Sequence, residues 1–309
     1  MSVLLVATGG TIASRPTPSG VTVSLDGRAL LERAGVSGVD VLEAGRGPSW
    51  NFDVAAVESI ARTVVERAAS GDHDGVVVTH GTDTVEETLF LTWLLGGAAA
   101  TERSPIVFTA AMRNDAEPNA DGPANLADAV ALASSGPLAG PVLRFGGVTH
   151  HARWVTKTDT SAVDAFRSTG EGISPTPSPP PHAGAIEPRV VHVQSHIGAD
   201  GAIVDWHLDR GARGVVVEGT GAGNIEGDLV DGVERALGEG VPVVVTSRCW
   251  TGAVSPTYGG RGGGRMLADI GVIAGGDLPT HKARLALSVA IAVEPSVGGV
   301  RRWFEALLG

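Results

Sequence analysis

The sequence predicts an α/β protein: two three-layer α/β domains with mainly parallel sheets, joined by a Pro-rich linker. Three observations carry that reading. Short β-branched runs alternate with helix-length amphipathic segments, as in βαβ units around a parallel sheet. The alternation breaks once, at Ser174-Pro175-Thr176-Pro177-Ser178-Pro179-Pro180-Pro181, and then restarts. At 309 residues the chain is long enough for two domains with separate cores.

In chain order, strands are expected at 3–7, 39–43, 75–79, 105–109 and 142–145, where Val and Ile cluster in short runs. Between them, 26–34, 53–70, 85–95 and 120–134 have the length and amphipathic spacing of helices. These elements form an expected N-terminal domain over 1–173. The proline run that follows can continue neither a helix nor a central strand, and favours an extended spacer over 174–188. A smaller C-terminal domain over 189–309 repeats the pattern, with strands at 190–194, 214–218 and 241–246 and helices at 228–238, 279–293 and 296–308. The run Gly259-Gly260-Arg261-Gly262-Gly263-Gly264 reads as a mobile or tightly turned loop.

Composition narrows the function classes. With 34 acidic and 23 basic residues the formal charge is −11, and no basic stripe is evident, so nucleic acid is not the expected partner. An acidic solvated surface is the simpler account of that charge. Cys249 is the only cysteine, which rules out an internal disulfide framework and a CxxC motif. The longest helical apolar stretch, 89–100, is too short to span a bilayer, and the first residues show no basic segment or cleavage pattern. A cytoplasmic protein without membrane attachment is the expectation.

Only two of the 23 basic residues are lysines, and one of them, Lys157, lies in the run Val155-Thr156-Lys157-Thr158-Asp159-Thr160. Arginine does not lose its proton in proteins, whereas a desolvated lysine does, so a lysine retained in so arginine-rich a chain is a candidate base. Candidate hydroxyls follow expected strands at Thr8-Gly9-Gly10-Thr11 and at Thr79-His80-Gly81-Thr82-Asp83-Thr84, and Ser49 follows another within Gly47-Pro48-Ser49-Trp50-Asn51. Open α/β sheets bind ligands beyond the carboxyl ends of their strands. Two hydroxyls, a carboxylate and a lysine converging there would form a nucleophile, base and orienting group. Each piece also has a plainer role: Thr11 suits a helix cap, Asp83 suits the start of the helix holding Glu86 and Glu87, Thr82 suits a turn, and Ser49 is a loop serine.

Two segments, Ala7-Thr8-Gly9-Gly10-Thr11-Ile12-Ala13 and Thr79-His80-Gly81-Thr82-Asp83-Thr84-Val85-Glu86-Glu87-Thr88, resemble the signature motifs of bacterial-type L-asparaginases. The resemblance continues through Ala111-Met112-Arg113, the segment from Ala120 to Leu126, Val155-Thr156-Lys157-Thr158, and Gly219 to Asn224. It implies an asparagine-hydrolysing enzyme in which Thr11 attacks the side-chain amide and forms an acyl-enzyme. Thr82, Lys157 and Asp83 match a second triad that moves the proton, and Asp83 also matches the carboxylate that holds the substrate's α-ammonium. Ser49 matches the contact to the α-carboxylate. The Gly9-Gly10 turn would let backbone N–H groups, at Gly10 and beyond, approach the reacting oxygen. Asn224 matches a group that reaches a neighbouring subunit's site, which implies a homodimer or homotetramer with sites between subunits.

The sequence departs from the family pattern at two places. The loop after the nucleophile, Ser14-Arg15-Pro16-Thr17-Pro18-Ser19-Gly20-Val21-Thr22, contains no tyrosine, and the segment 251–264 contains no carboxylate. That second segment holds the only tyrosine, Tyr258. Two readings of Tyr258 stand side by side: a contact made in the partner's site, or an anchor for the glycine-rich loop.

Other chemistries fit less well. The loop Gly219-Thr220-Gly221-Ala222-Gly223-Asn224 lacks the third glycine of a dinucleotide loop, and there is no GxxxxGK[ST] string. His150-His151 and the pair His192 and His196 lack an HExxH context, and GxSxG is absent. No metal or cofactor is therefore expected. The alternatives that remain are a glutaminase-asparaginase or related ω-amidase and, outside enzymes, an amino-acid-binding sensor on the same fold.

Overall fold

The computed structural model describes residues 2–18, 20–169, 182 and 184–309, and divides into two compact units, Met1–Thr176 and Pro177–Gly309. The proline run of the expected linker lies outside the described residues.

The first unit contains β1 (Val3–Gly9), β2 (Ser14–Thr17), β3 (Gly20–Val23), β4 (Val39–Gly47), β5 (Gly75–Thr79), β6 (Ile106–Thr109), β7 (Val142–Phe145), β8 (Val148–His151), β9 (Val155–Lys157) and β10 (Phe166–Ser168). Six of these form one sheet in the order β4-β1-β5-β6-β7-β8, parallel throughout except for the β7–β8 pair. Every residue of β1, β5 and β6 is buried, because helices cover both faces of the sheet. The helices are α1 (Gly27–Arg33), α2 (Val54–Ser70), α3 (Val85–Thr92), the single turn α4 (Ala98–Thr101) and α5 (Gly122–Ala133). Leu30 and Leu31 of α1, with Leu126 and Ala129 of α5, pack on Leu5, Val77 and Val107. The alternate residues Val6, Val76 and Val78 point to the opposite face, where α2 lies against β4, β5 and α3.

Local chemistry sets the helix ends. Asp26 and Asp53 cap α1 and α2 by accepting from Ala29 N and Ala56 N, each at 2.8 Å, and Gly71 stops α2 in the left-handed conformation. Within α2, Ile60, Val64 and Ala68 recur four residues apart and are buried, each of the two larger side chains contributing about 1.5–3 kcal/mol. The helix expected over 85–95 is regular only to Thr92. It continues as one wide turn, Trp93–Gly97, because Gly96 takes φ 109°.

The second unit has four parallel strands, β11 (Val190–Gln194), β12 (Gly214–Gly219), β13 (Val243–Ser247) and β14 (Ile273–Ala274), in that spatial order. Its helices are α6 (Ala202–Leu208), α7 (Leu229–Gly238), α8 (Gly264–Ile270), α9 (Thr280–Val293) and α10 (Val297–Leu308). Val204, Leu229, Val233 and Leu267 bring α6, α7 and α8 onto one face, against Val215, Val217, Val243 and Val245. Helix α9 covers the other face and α10 packs on α9.

Candidate active site

Strands β4, β1 and β5 are neighbours, so the segments leaving their carboxyl ends meet. Gly9 pairs with Gly47 across β1 and β4, and Gly10 N donates to Gly47 O at 3.1 Å. The segments touch backbone to backbone. A Cβ on Gly10, which has φ 82°, would lie 2.4 Å from Gly81 N, and a Cβ on Gly81 would lie 2.5 Å from Ser49 Oγ. Only glycine fits at either position, and this close approach is what brings Thr11, Ser49 and Thr82 to one place. The Thr84 hydroxyl donates to Ser49 O at 3.1 Å and ties the second and third segments together.

Lys157 arrives on β9, at the end of a short antiparallel pair in which it faces Phe166. Its backbone N donates to Glu86 Oε2 at 3.2 Å, so the first turn of α3 fixes the strand that carries it. Its Nζ donates to Thr82 Oγ1 at 3.0 Å and to Asp83 Oδ1 at 2.7 Å. The lysine side chain is 15% exposed and that of Asp83 47%, so a sheltered cation meets a carboxylate that faces solvent. The three groups share one hydrogen-bonded chain, with the carboxylate orienting the amine and the amine touching a hydroxyl.

A cavity of about 390 Å³ opens beside this chain, lined by Gly10, Thr11, Ser49, Thr82 and Asp83. Ser49 Oγ is buried and has no hydrogen-bond partner among the described residues. Leaving a buried hydroxyl unsatisfied costs about 1–3 kcal/mol, which a bound polar ligand would recover. Val21 and Thr22 of β3, Trp50, Met112, Asn114 and Glu117 also line it, and the sequence reading did not single them out as site residues. Trp50 adjoins Ser49, a proximity that the sequence does contain. Asn114 and Glu117 sit in the polar loop beyond β6, a strand end like the three that were read.

That loop is held rigidly. Asp121 accepts from Met112 N at 3.0 Å and Arg113 N at 2.9 Å, and Asn125 Nδ2 donates to Ala110 O at 3.0 Å. Asp115 N donates to Ser14 O at 3.1 Å, and the Asp115 carboxylate accepts from Arg15 at 2.8 Å and pairs with Arg33. The hairpin β2–β3 is thereby tied at its base to the loop beyond β6.

His80 lies fully buried beneath Gly81. Burial pushes its imidazolium down to about 4, against a smaller opposing pull from the Gly81 carbonyl, so the ring is neutral near pH 7. Of the predicted site residues, Gly10, Thr11, Ser49, Thr82, Asp83 and Lys157 are thus gathered in the first unit. Asn224 and Tyr258 belong to the second unit. There, Asn224 Oδ1 accepts from Gly264 N at 3.1 Å, and Tyr258 is 60% exposed.

Two family models match the chain: asparaginase, N-terminal, over residues 2–174, and glutaminase/asparaginase C-terminal domain over residues 189–304. A protein of Deinococcus radiodurans named probable L-asparaginase is 37% identical, across 97% of this chain and 96% of its own length. A glutamyl-tRNA(Gln) amidotransferase component of Methanopyrus kandleri is 30% identical over 82% of this chain and 61% of its own. Among solved structures, that of a probable cytoplasmic L-asparaginase from Campylobacter jejuni superposes with a TM-score of 0.84. It is 26% identical and is matched over 99% of its chain and 98% of this one.

Proposed function

The chain belongs to the asparaginase family of amidohydrolases, and from that premise we propose that it hydrolyses L-asparagine to L-aspartate and ammonia through a Thr11 acyl-enzyme. The observation that carries the reading is the chain Asp83–Lys157–Thr82, formed at 2.7 and 3.0 Å beside a cavity that Thr11 and the unsatisfied Ser49 Oγ also line.

Asp83 accepts the substrate's α-ammonium, while Ser49 Oγ and nearby backbone N–H groups take the α-carboxylate. Thr11 Oγ attacks the side-chain amide carbon as its proton passes into the Thr82–Lys157 pair. Charge then builds on the amide oxygen, where backbone donors are worth the most. The C–N bond breaks, the nitrogen takes a proton and leaves as ammonia, and the ester to Thr11 remains. A water molecule then attacks the ester, releasing aspartate and restoring the Thr11 hydroxyl. A threonine hydroxyl is a weak nucleophile without such a base, which gives Lys157 its place.

Glutaminase-asparaginase activity is the second reading within this class. One methylene separates the two amides, worth only about 1–3 kcal/mol in a pocket. A sensor would need Asp83 and Ser49 but not Lys157, and the bond from Lys157 Nζ to Thr82 Oγ1 favours catalysis over binding alone.

The same reading extends to assembly and place. The chain forms a homodimer or homotetramer in which Asn224 and Tyr258 serve a neighbouring subunit's site. With Oδ1 of Asn224 engaged by Gly264, its Nδ2 is the donor end that remains, and the exposure of Tyr258 leaves its hydroxyl accessible. A cytoplasmic location fits the named likeness and a set of described helices none of which is long and apolar enough to cross a membrane.

The test is ammonia release from asparagine and glutamine by the purified protein, beside Thr11→Ala and Lys157→Met. Release that vanishes in both variants is the expected result. Turnover that survives Thr11→Ala would remove the acyl-enzyme. A Tyr258→Phe variant with unchanged kcat and KM would remove the contact in trans.

A further inference from the structure

His80 takes no part in the chemistry above, yet it is entirely buried beside the residues that do. Phe52 and Phe108 flank its ring at centroid distances of 5.6 and 6.5 Å. Both ring nitrogens are engaged. Nδ1 lies 3.0 Å from Gly81 O, and Nε2 lies 3.0 Å from Thr88 Oγ1. A carbonyl oxygen only accepts, so Nδ1 carries the proton. In the neutral ring Nε2 must then accept, and the Thr88 hydroxyl donates to it. A single tautomer satisfies both contacts.

The effect reaches one bond further. The Gly81–Thr82 peptide is planar and trans, so its carbonyl and its N–H point in opposite directions. His80 draws the Gly81 carbonyl toward the buried ring. The Thr82 N–H therefore points away from the ring, and Gly81, Thr82 and Asp83 all line the cavity. It enters no backbone hydrogen bond among the described residues.

We propose that His80 is a positioning residue: by donating from Nδ1 to the Gly81 carbonyl, it aims the Thr82 N–H at the oxygen on which charge develops. Thr88 takes part by fixing the tautomer. The same bond holds Gly81 where its own missing Cβ lets Ser49 approach and that of Gly10 lets Gly10 approach, so one buried ring sets both the donor and the spacing of the site. The inference rests on the asparagine-hydrolysis reading for its substrate, but not for its geometry.

Three variants test it: His80→Leu, which removes the donor; His80→Asn, whose side-chain amide keeps one near the place of Nδ1; and Thr88→Val, which removes the tautomer's partner. kcat and KM for asparagine are measured alongside thermal melting. Loss of a whole oxyanion donor costs about 100- to 1,000-fold in kcat, so a misaimed one in His80→Leu is expected to cost about 10- to 100-fold, with KM changed less than about threefold. His80→Asn recovers most of that loss, and Thr88→Val shows a smaller fall in kcat. A folded His80→Leu variant with kcat within about threefold of the unaltered chain overturns the proposal, as does a His80→Asn variant no faster than His80→Leu. Should His80→Leu fail to fold, nitrogen-15 NMR of the unaltered chain decides, with the neutral Nδ1–H tautomer expected throughout about pH 6 to 8. The Nε2–H tautomer overturns the proposal. Absence of ammonia release by the unaltered chain would sink the proposed function instead, while the NMR measurement would still judge His80.

Discussion

Replacing Lys157 separates proton transfer from architecture. Its Nζ makes two contacts, to Thr82 Oγ1 and Asp83 Oδ1, and Lys157→Met keeps the stem while removing both. General acid–base catalysis contributes about 100- to 10,000-fold, so kcat should fall by that factor, or about 2.7–5.4 kcal/mol of barrier. Stability should hardly change. Asp83 is nearly half exposed, and ion pairs open to solvent contribute about 0–1 kcal/mol. KM should move little, because the freed Asp83 remains available to the substrate's ammonium. Ammonia release in a coupled assay gives kcat and KM, and a thermal melt gives stability. The informative companion is Lys157→Arg, which restores the positive charge beside Asp83 but cannot give up its proton. It is expected to be about as inactive as Lys157→Met. A Lys157→Arg variant with kcat within tenfold of the unaltered chain would show that Lys157 acts as a fixed charge, and the base assignment would be refuted.

Further outcomes follow from the same geometry. Thr11→Ala should abolish ammonia release yet still bind aspartate in a calorimeter, and loss of binding along with turnover would count against a purely nucleophilic role. The His80 imidazolium sits at about 4 in the fold and at about 6.5 in the unfolded chain, so only the unfolded chain binds a proton between those values. Its contribution to stability is therefore complete above about pH 6.5 and falls by about 3 kcal/mol as pH drops toward 4. Urea melts at the two ends of that window should show a smaller acid loss in His80→Asn, and an equal loss would contradict the assignment. Gly10→Ala should lose about 3 kcal/mol or more, since its Cβ meets the Gly81 backbone at a positive φ, and a melt within a few degrees of the unaltered chain would refute that. Asp115→Ala frees Arg15 and Arg33 from a carboxylate that is only 3% exposed. It should raise KM several-fold and speed proteolysis within residues 14–23, and a protease-resistant hairpin would show that the ties are dispensable.

The central parallel strands were legible because burial on both faces leaves them as near-continuous valine runs, such as Val76-Val77-Val78 and Val215-Val216-Val217, whereas the parallel β14, two residues long, was not. The antiparallel pieces were not. Strand β2 contains Pro16, and the β2–β3 pair is only four residues long on each side, so it reads as loop. Strands β9 and β10 have three residues each, too few to show a period, and Lys157 therefore looked like part of a threonine-rich run. Helices α6 and α8 escaped for a similar reason, being two turns long and beginning at or beside glycine. Within the site, the residue types were readable but their partners were not. The contacts from Lys157 to Thr82 and Asp83 span 75 and 74 positions and follow from the docking of β9 on α3, which periodicity does not reveal.

Strand order accounts for where the site lies. The chain leaves β1, passes through the hairpin and α1, and enters β4 on one side of β1. From β4 it crosses by α2 to β5 on the other side. Helix α1 packs with α5 on one face of the sheet, while α3, which follows β5, packs with α2 on the other. The segments leaving β1 and β5 therefore diverge to opposite faces, and a crevice opens between two strands that are hydrogen-bonded neighbours. Gly10-Thr11 and Gly81-Thr82-Asp83 are the residues at its two lips. A sheet that ran in simple sequential order would send both segments to one face and close the gap with a helix. The glycines narrow what the topology opens, to the point where backbone meets backbone, and the lysine must then come from elsewhere. It comes on β9, secured to the first turn of α3 through Glu86, the same helix whose Thr88 holds His80. One helix thus sets both the proposed base and the ring beneath Gly81. A substitution that shifts α3 along its axis should lower kcat through both contacts at once, whereas substitutions at α5 that leave Asp121 and Asn125 in place should not.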